Sequence, residues 1–160
     1  MNILKMFNSD LIDLEMQARS QEELFRIVGK RLSERDYVTE NYLKGILTRE
    51  REFPTGLITQ YLNIALPHGD ACNVKKSFVY VVKVTDPIVM KQMGDDQKMN
   101  VSYFFFLGIN NAKKQVGLLS TLMSLFMTEE FVTEFKQCVA NEEVYKLLKK
   151  YIGIGAMNNV

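Results

Sequence analysis

The chain has 160 residues, 20 basic and 19 acidic, with a net charge of +1 and no block of like charge. That length suits a single domain, 1–160, with a core of its own, and the near-neutral balance disfavours a nucleic-acid-binding face. The longest apolar run, Tyr103 to Ile109, is far too short to cross a bilayer. Cys72 and Cys138 form no C-x-x-C pair and read as reduced thiols, and Met1 to Asp10 lacks the parts of a secretory signal, so a cytoplasmic protein is expected.

In chain order, Leu11 to Met16 alternates imperfectly and predicts a first strand. Ser20-Gln21-Glu22-Glu23 has the form of a capping box opening a helix, with Leu24, Phe25, Val28 and Leu32 on one stripe. Arg35-Asp36 breaks it. Thr39 is the expected cap of a second helix running to about Glu52, which Phe53-Pro54-Thr55-Gly56 ends. Asn63 to Leu66 reads as a short buried strand, and Pro67 is expected to end its pairing because it lacks a backbone donor. Ser77 to Thr85 is rich in β-branched and aromatic residues and predicts a strand. Asp86-Pro87 is expected to turn the chain, with Ile88 to Met93 as a short edge strand and Gly94-Asp95-Asp96 as a polar turn.

Asn100 to Leu107 is apolar on both faces, the pattern of a central strand covered on two sides. Three helices are expected to follow. The first, Ala112 to Met127, turns Val116, Leu119, Met123 and Phe126 inward. The second starts at a Thr128 cap and buries Phe131, Val132, Phe135 and Val139, and the third runs from Glu142 to Tyr151. Helix pairs around a few strands give an α/β layered domain with a mixed sheet.

Two residue types stand out. His68 is the only histidine, set between Pro67 and Gly69 at a strand end. It is either a half-buried packing residue or an imidazole that must accept something and pass it on, with Gly69 letting the backbone turn or approach a ligand. On the second helix, Tyr42, Ile46, Arg49 and Phe53 share one face while Arg51 points away. An arginine on an apolar face either snorkels to solvent and the last carbonyls or is held inward for an oxyanion. A zinc site from His68 and Cys72 is disfavoured, since Pro67 and Gly69 oppose a helix there and zinc takes three or four such ligands.

In sequence, Arg49-Glu50, Pro54-Thr55-Gly56 and Ile64-Ala65-Leu66-Pro67-His68 resemble the signature of the fructose/mannitol-type IIA proteins of the bacterial sugar phosphotransferase system. Phe53 to Leu57, Met93-Gly94-Asp95 and the Val101 to Leu107 strand leading into Gln115-Val116 and Leu118 to Met123 are most similar to the galactitol-type branch. The resemblance spans roughly residues 10 to 150 and implies a single-domain sandwich with a mixed sheet of about five strands flanked by helices. It also implies a phosphocarrier: His68 takes a phosphoryl group from phospho-HPr and gives it to a cysteine of a IIB protein, while a IIC membrane protein moves the sugar. A regulatory domain of the same fold, whose phosphorylated histidine changes partner binding, is the alternative. No cofactor or metal is implied.

Carried over by residue, His68 is the phosphorylated nucleophile through Nε2, with its other ring nitrogen donating to a backbone carbonyl and a pKa near the reference value of about 6.5. Arg49 stabilises the phosphoryl group, and Thr55 and Gly69 belong to the binding surround. The chain departs from the pattern twice. Thr55 stands thirteen positions before His68, more than the motif usually has, so Leu57 to Leu62 reads as an insertion, and Leu57, Ile58 and Tyr61 are expected in an apolar rim. Many mannitol- and fructose-type members carry a second histidine where this chain has Gln115, or Lys113 or Lys114, and Gln115 takes a weak supporting place.

Overall fold

The apolar run after Asn100 lies at the centre of the sheet. The structure, a computed structural model, describes residues 3–158, with the side chains of 3–111 and 113–153. Five strands, β1 (Ile12–Met16), β2 (Gly56–Ile58), β3 (Asn63–Ala65), β4 (Phe78–Lys91) and β5 (Lys98–Gly108), form one sheet in the order β1-β4-β5-β3-β2. β1 with β4 and β3 with β5 are parallel, and the other two pairs are antiparallel, so the sheet is mixed.

The period of two along β5 sends Phe104 and Phe106 to one face and Phe105 and Leu107 to the other, and all four are buried. Helices α1 (Gln21–Glu34) and α2 (Tyr42–Glu52) cover the first face, and α3 (Ala112–Phe126), α4 (Glu129–Gln137) and α5 (Asn141–Asn158) cover the second. The α1 stripe of Leu24, Phe25, Val28 and Leu32 is buried as its spacing predicts. Burying each such side chain is worth about 1.5–3 kcal/mol, far more than any helix-propensity difference. Among the described residues no single helix is long and apolar enough to cross a membrane.

Several local expectations are corrected, each for a hydrogen-bonding or packing reason. Ser20 Oγ accepts from Glu23 N at 3.2 Å, but Glu23 Oε2 takes Arg19 N at 3.1 Å, so the reciprocal bond closes one residue upstream of a capping box. Thr39 offers its carbonyl, not its hydroxyl, to Tyr42 N, and the hydroxyl donates to Asn73 Oδ1 at 3.1 Å. Asp86-Pro87 does not turn the chain. β4 runs through it, and its register with β5 slips between Lys83 and Ile88, so the missing N–H of Pro87 falls where no ladder bond is due. Ile88 therefore continues β4 and starts no strand of its own, while the edge character holds: among the described residues Ile88 to Lys91 pairs with β5 alone, since β1 reaches only Val84. Gly94 (φ +90°) and Asp96 (φ +57°) supply the left-handed residues of the turn that joins β4 to β5.

On α3 the inward stripe is Leu118, Leu122, Leu125 and Phe126, while Val116 is 69% exposed. Val139 is 80% exposed because α4 ends at Gln137 and the helical period lapses there. Thr128 is the N-cap of α4 as expected, with its carbonyl taking Val132 N at 3.1 Å, but its hydroxyl goes back to Ser124 O and makes no cap bond. The last helix extends past Tyr151 to Asn158.

Candidate functional site

β3 delivers the histidine. Leu66 N donates to Thr55 O at 3.2 Å, Leu107 N donates to Pro67 O at 2.9 Å, and His68 lies in parallel register with Leu107. Pro67 thus does not end the pairing: it has no donor to give, but its carbonyl carries the ladder to β5 one step further. The imidazole of His68 is half-buried, with Nδ1 2.7 Å from Leu66 O. A carbonyl only accepts, so Nδ1 must hold the proton and the Nε2 lone pair is left without a protein partner among the described residues. Burial lowers the His68 pKa from its ordinary value, the Leu66 carbonyl opposes this, and the Arg49 guanidinium lowers it further. The ring is neutral more firmly than a near-reference value would make it.

The last turn of α2 brings Arg49 to this site, at the edge of its buried face. Tyr42 and Ile46 are buried as expected, Arg51 is exposed, and Phe53 is 59% exposed at the helix end. Arg49 Nη1 lies 3.4 Å from Asp70 Oδ1, its Cζ sits 5.1 Å from the Phe53 ring, and its Nε is buried with no hydrogen-bond partner among the described residues. A cleft of about 340 Å³ opens beside it, lined in part by Lys44, Thr48, Arg49 and Asp70.

The remaining candidates sit differently. Thr55 is 2% exposed, and its N–H and hydroxyl both go to Glu50, at 3.1 Å and 2.8 Å to Oε1, so it is held behind the site. Gly69 has no left-handed φ, and a Cβ there would meet only ordinary contacts at 3.8 Å to Ile46. The close approach belongs instead to Gly56, where a Cβ would lie 2.5 Å from Lys91 O. Gln115 is half-buried in the first turn of α3, and among the described residues no hydrogen bond joins its side chain to His68. Lys113 and Lys114 beside it are exposed.

Residues 57–62 form the hairpin between β2 and β3, closed by Thr59 Oγ1 donating to Leu62 O at 2.7 Å and tied to α4 by Lys136 Nζ donating to Tyr61 O at 2.7 Å. Leu57 and Tyr61 pack partly against the core and Ile58 is 44% exposed. Cys72 is exposed in the 3-10 turn Ala71–Asn73, and among the described residues no three metal-binding side chains converge.

Glu50 entered the sequence reading only within Arg49-Glu50, with no role of its own. It is 4% exposed, held among the described residues by Thr55 alone, and burial pushes its carboxyl up to about 7 against the pull of those hydrogen bonds. Its signal was present: Tyr42, Ile46 and Glu50 stand at i, i+4 and i+8, which puts a carboxylate on the buried stripe.

A single α/β domain with a mixed five-stranded sheet between two helical layers matches the fold of the mannitol/fructose IIA class. Residues 5–151 match the phosphoenolpyruvate-dependent sugar phosphotransferase system EIIA 2 family, and the chain belongs to it. It is therefore a IIA-type phosphotransferase component with the generic phosphocarrier role of that family. The galactitol-specific EIIA component of Escherichia coli K12 is 28% identical over 112 residues, 70% of this chain and 75% of that one. The nitrogen regulatory protein IIA-Ntr of Neisseria meningitidis superposes with a TM-score of 0.76 at 25% identity, covering 91% of this chain and 98% of that one. The IIA mannitol protein of Escherichia coli gives 0.69 at 25% identity, covering 88% and 97%.

Proposed function

We propose that His68 is the phosphoryl acceptor, reacting through Nε2, that phospho-HPr in the cytoplasm is the donor, and that the phosphorylated state acts by changing which partner the protein binds. The observation that carries the first step is the Nδ1–Leu66 contact at 2.7 Å, which leaves a lone pair on Nε2 of a half-buried, neutral ring. The bond from phosphorus to the donor breaks as the Nε2–phosphorus bond forms, and the proton stays on Nδ1, donated to Leu66 O. Phosphoryl transfer of this kind depends on positioning and on neutralising the equatorial oxygens. Arg49 is the cation for that task, with its Nε unpartnered and its fork suited to a phosphate edge. The regulatory output is favoured by the likeness to IIA-Ntr, which covers nearly the whole of both chains.

A second reading keeps the same first step and passes the group to a cysteine of a IIB protein, with a IIC membrane protein importing galactitol or a related polyol. The 28% identity to a galactitol-specific EIIA component favours it. Incubation with phosphoenolpyruvate, enzyme I and HPr is expected to give an acid-labile, alkali-stable phosphate that His68→Ala abolishes. An unlabelled wild type, or a labelled His68→Ala variant, would end the proposal. Rapid discharge onto a galactitol-type IIB protein selects the transport reading, and retention of the label selects the regulatory one.

A further inference from the structure

Glu50 is a buried carboxyl group one residue from Arg49 for which phosphoryl transfer has no direct use. Among the described residues Thr55 supplies all of its hydrogen bonds: the Thr55 N–H donates to Oε1 at 3.1 Å, and the hydroxyl lies 2.8 Å from Oε1 and 2.9 Å from Oε2. When Glu50 is neutral, its own O–H donates to Thr55 Oγ1 while the hydroxyl donates to the other carboxyl oxygen, a closed ring with no atom left over. Thr55 in turn presents its carbonyl to Leu66 N at 3.2 Å, and Leu66 presents its carbonyl to His68 Nδ1 at 2.7 Å. Leu66 is thus held on both of its flanking peptides, one by Thr55 and one by the imidazole. We propose that Glu50 is a positioning residue for the phosphoryl acceptor, acting through Thr55 and Leu66 to hold His68 in the tautomer that leaves Nε2 free.

Three observations favour this over a purely structural role. Glu50 and Thr55 are the two buried polar or charged residues among those described, and their side chains hydrogen-bond to each other. Glu50 is on α2 and Thr55 stands just before β2, where its carbonyl takes the N–H of Leu66 beyond the end of β3, so the pair is two hydrogen bonds from His68 and not at a remote corner of the core. Burial has raised the Glu50 carboxyl to about 7, so at neutral pH the closed ring is substantially populated.

The proposal rests on His68 being the acceptor, but its first test does not, because the tautomer can be read without phosphate. In ¹⁵N-labelled wild type, long-range proton–nitrogen spectra at pH 7.5 are expected to show Nδ1 protonated and Nε2 bare. An unconstrained imidazole favours the opposite form, so Glu50→Ala and Thr55→Val are expected to shift the ring toward Nε2–H. Glu50→Gln and Thr55→Ser, which can rebuild the ring of hydrogen bonds, are expected to keep the wild-type tautomer. Phosphorylation by phospho-HPr should fall on the order of tenfold in the first pair and less than about twofold in the second. A wild-type spectrum with Nε2 protonated, or wild-type tautomer and rate in a folded Glu50→Ala or Thr55→Val variant, overturns the proposal. Should Glu50→Ala fail to fold, Thr55→Val against Thr55→Ser decides alone. Loss of labelling in every protein, with the tautomers as expected, would instead overturn the phosphohistidine reading and leave the positioning role intact.

Discussion

Arg49 is an under-committed cation. Its contact with Asp70 is long, at 3.4 Å, and both side chains are substantially exposed, at 42% and 63%, so the pair contributes at most about 1 kcal/mol. A phosphate dianion on His68 offers more charge and two acceptor edges, which makes exchange of Asp70 for phosphate favourable. A lysine supplies one point charge and no fork, so Arg49→Lys is expected to slow acceptance from phospho-HPr by about tenfold or more. Arg51→Lys, at an exposed position, should change it by less than about twofold. Equal small effects would show that the guanidinium has no part in transfer. The same charge acts on the ring: the His68 midpoint should lie below about 6.5 by NMR titration, and Arg49→Ala should raise it, since a positive neighbour is removed. A midpoint unmoved by Arg49→Ala would separate the two residues.

At the scale of elements, two glycines make opposite predictions. A Cβ on Gly56 would sit 2.5 Å from Lys91 O and 2.6 Å from Met99 Sδ, where β2 leans on the end of β4 through Met93 N donating to Gly56 O. Gly56→Ala is therefore expected to cost about 1–3 kcal/mol in urea unfolding, as overpacking does, and Gly69→Ala less than about 0.5 kcal/mol. Similar values for both would mean that the β2 contact is not tight. From sequence, Gly69 drew attention because it follows the histidine, yet the constraint lies at Gly56, whose crowding comes from a strand more than thirty residues later in the chain. Such non-local contacts are what local pattern cannot show. The α1 stripe and the central strand were legible because period and composition are local signals. Asp86-Pro87 misled for the same reason: a turn dipeptide becomes a bulge when the partner strand slips register to receive it. The hairpin of 57–62 had too few residues per strand to show alternation, and pairing alone defines it. At the site, His68 and the helical face of Arg49 were readable, whereas Glu50 was passed over although its spacing placed it on the buried stripe.

For the whole molecule, the Glu50 and His68 ends of this hydrogen-bonded chain pull stability in opposite directions with pH. The Glu50 carboxyl rises from 4.5 to about 7 on folding, so between those values the native state binds more protons than the unfolded chain. Its contribution is complete below about pH 4.5 and is lost as pH rises through about 7. The loss is at most roughly 3 kcal/mol, a large share of a typical domain's 5–15 kcal/mol. His68 has a lowered folded pKa, so the unfolded chain binds its proton first, and stability declines as pH falls below about 6.5. Just below about pH 6.5 the two trends therefore oppose each other, whereas above it the Glu50 loss acts alone. Glu50→Gln fixes the neutral form and leaves the His68 contribution in place, so the difference between the two proteins isolates the carboxyl group. In urea titrations from pH 5 to 8 the variant should gain on wild type by up to roughly 3 kcal/mol, most steeply midway between 4.5 and about 7 and levelling off above about 7. Parallel stability curves across that range would mean that Glu50 titrates alike in the folded and unfolded chains, and that its burial carries no electrostatic cost.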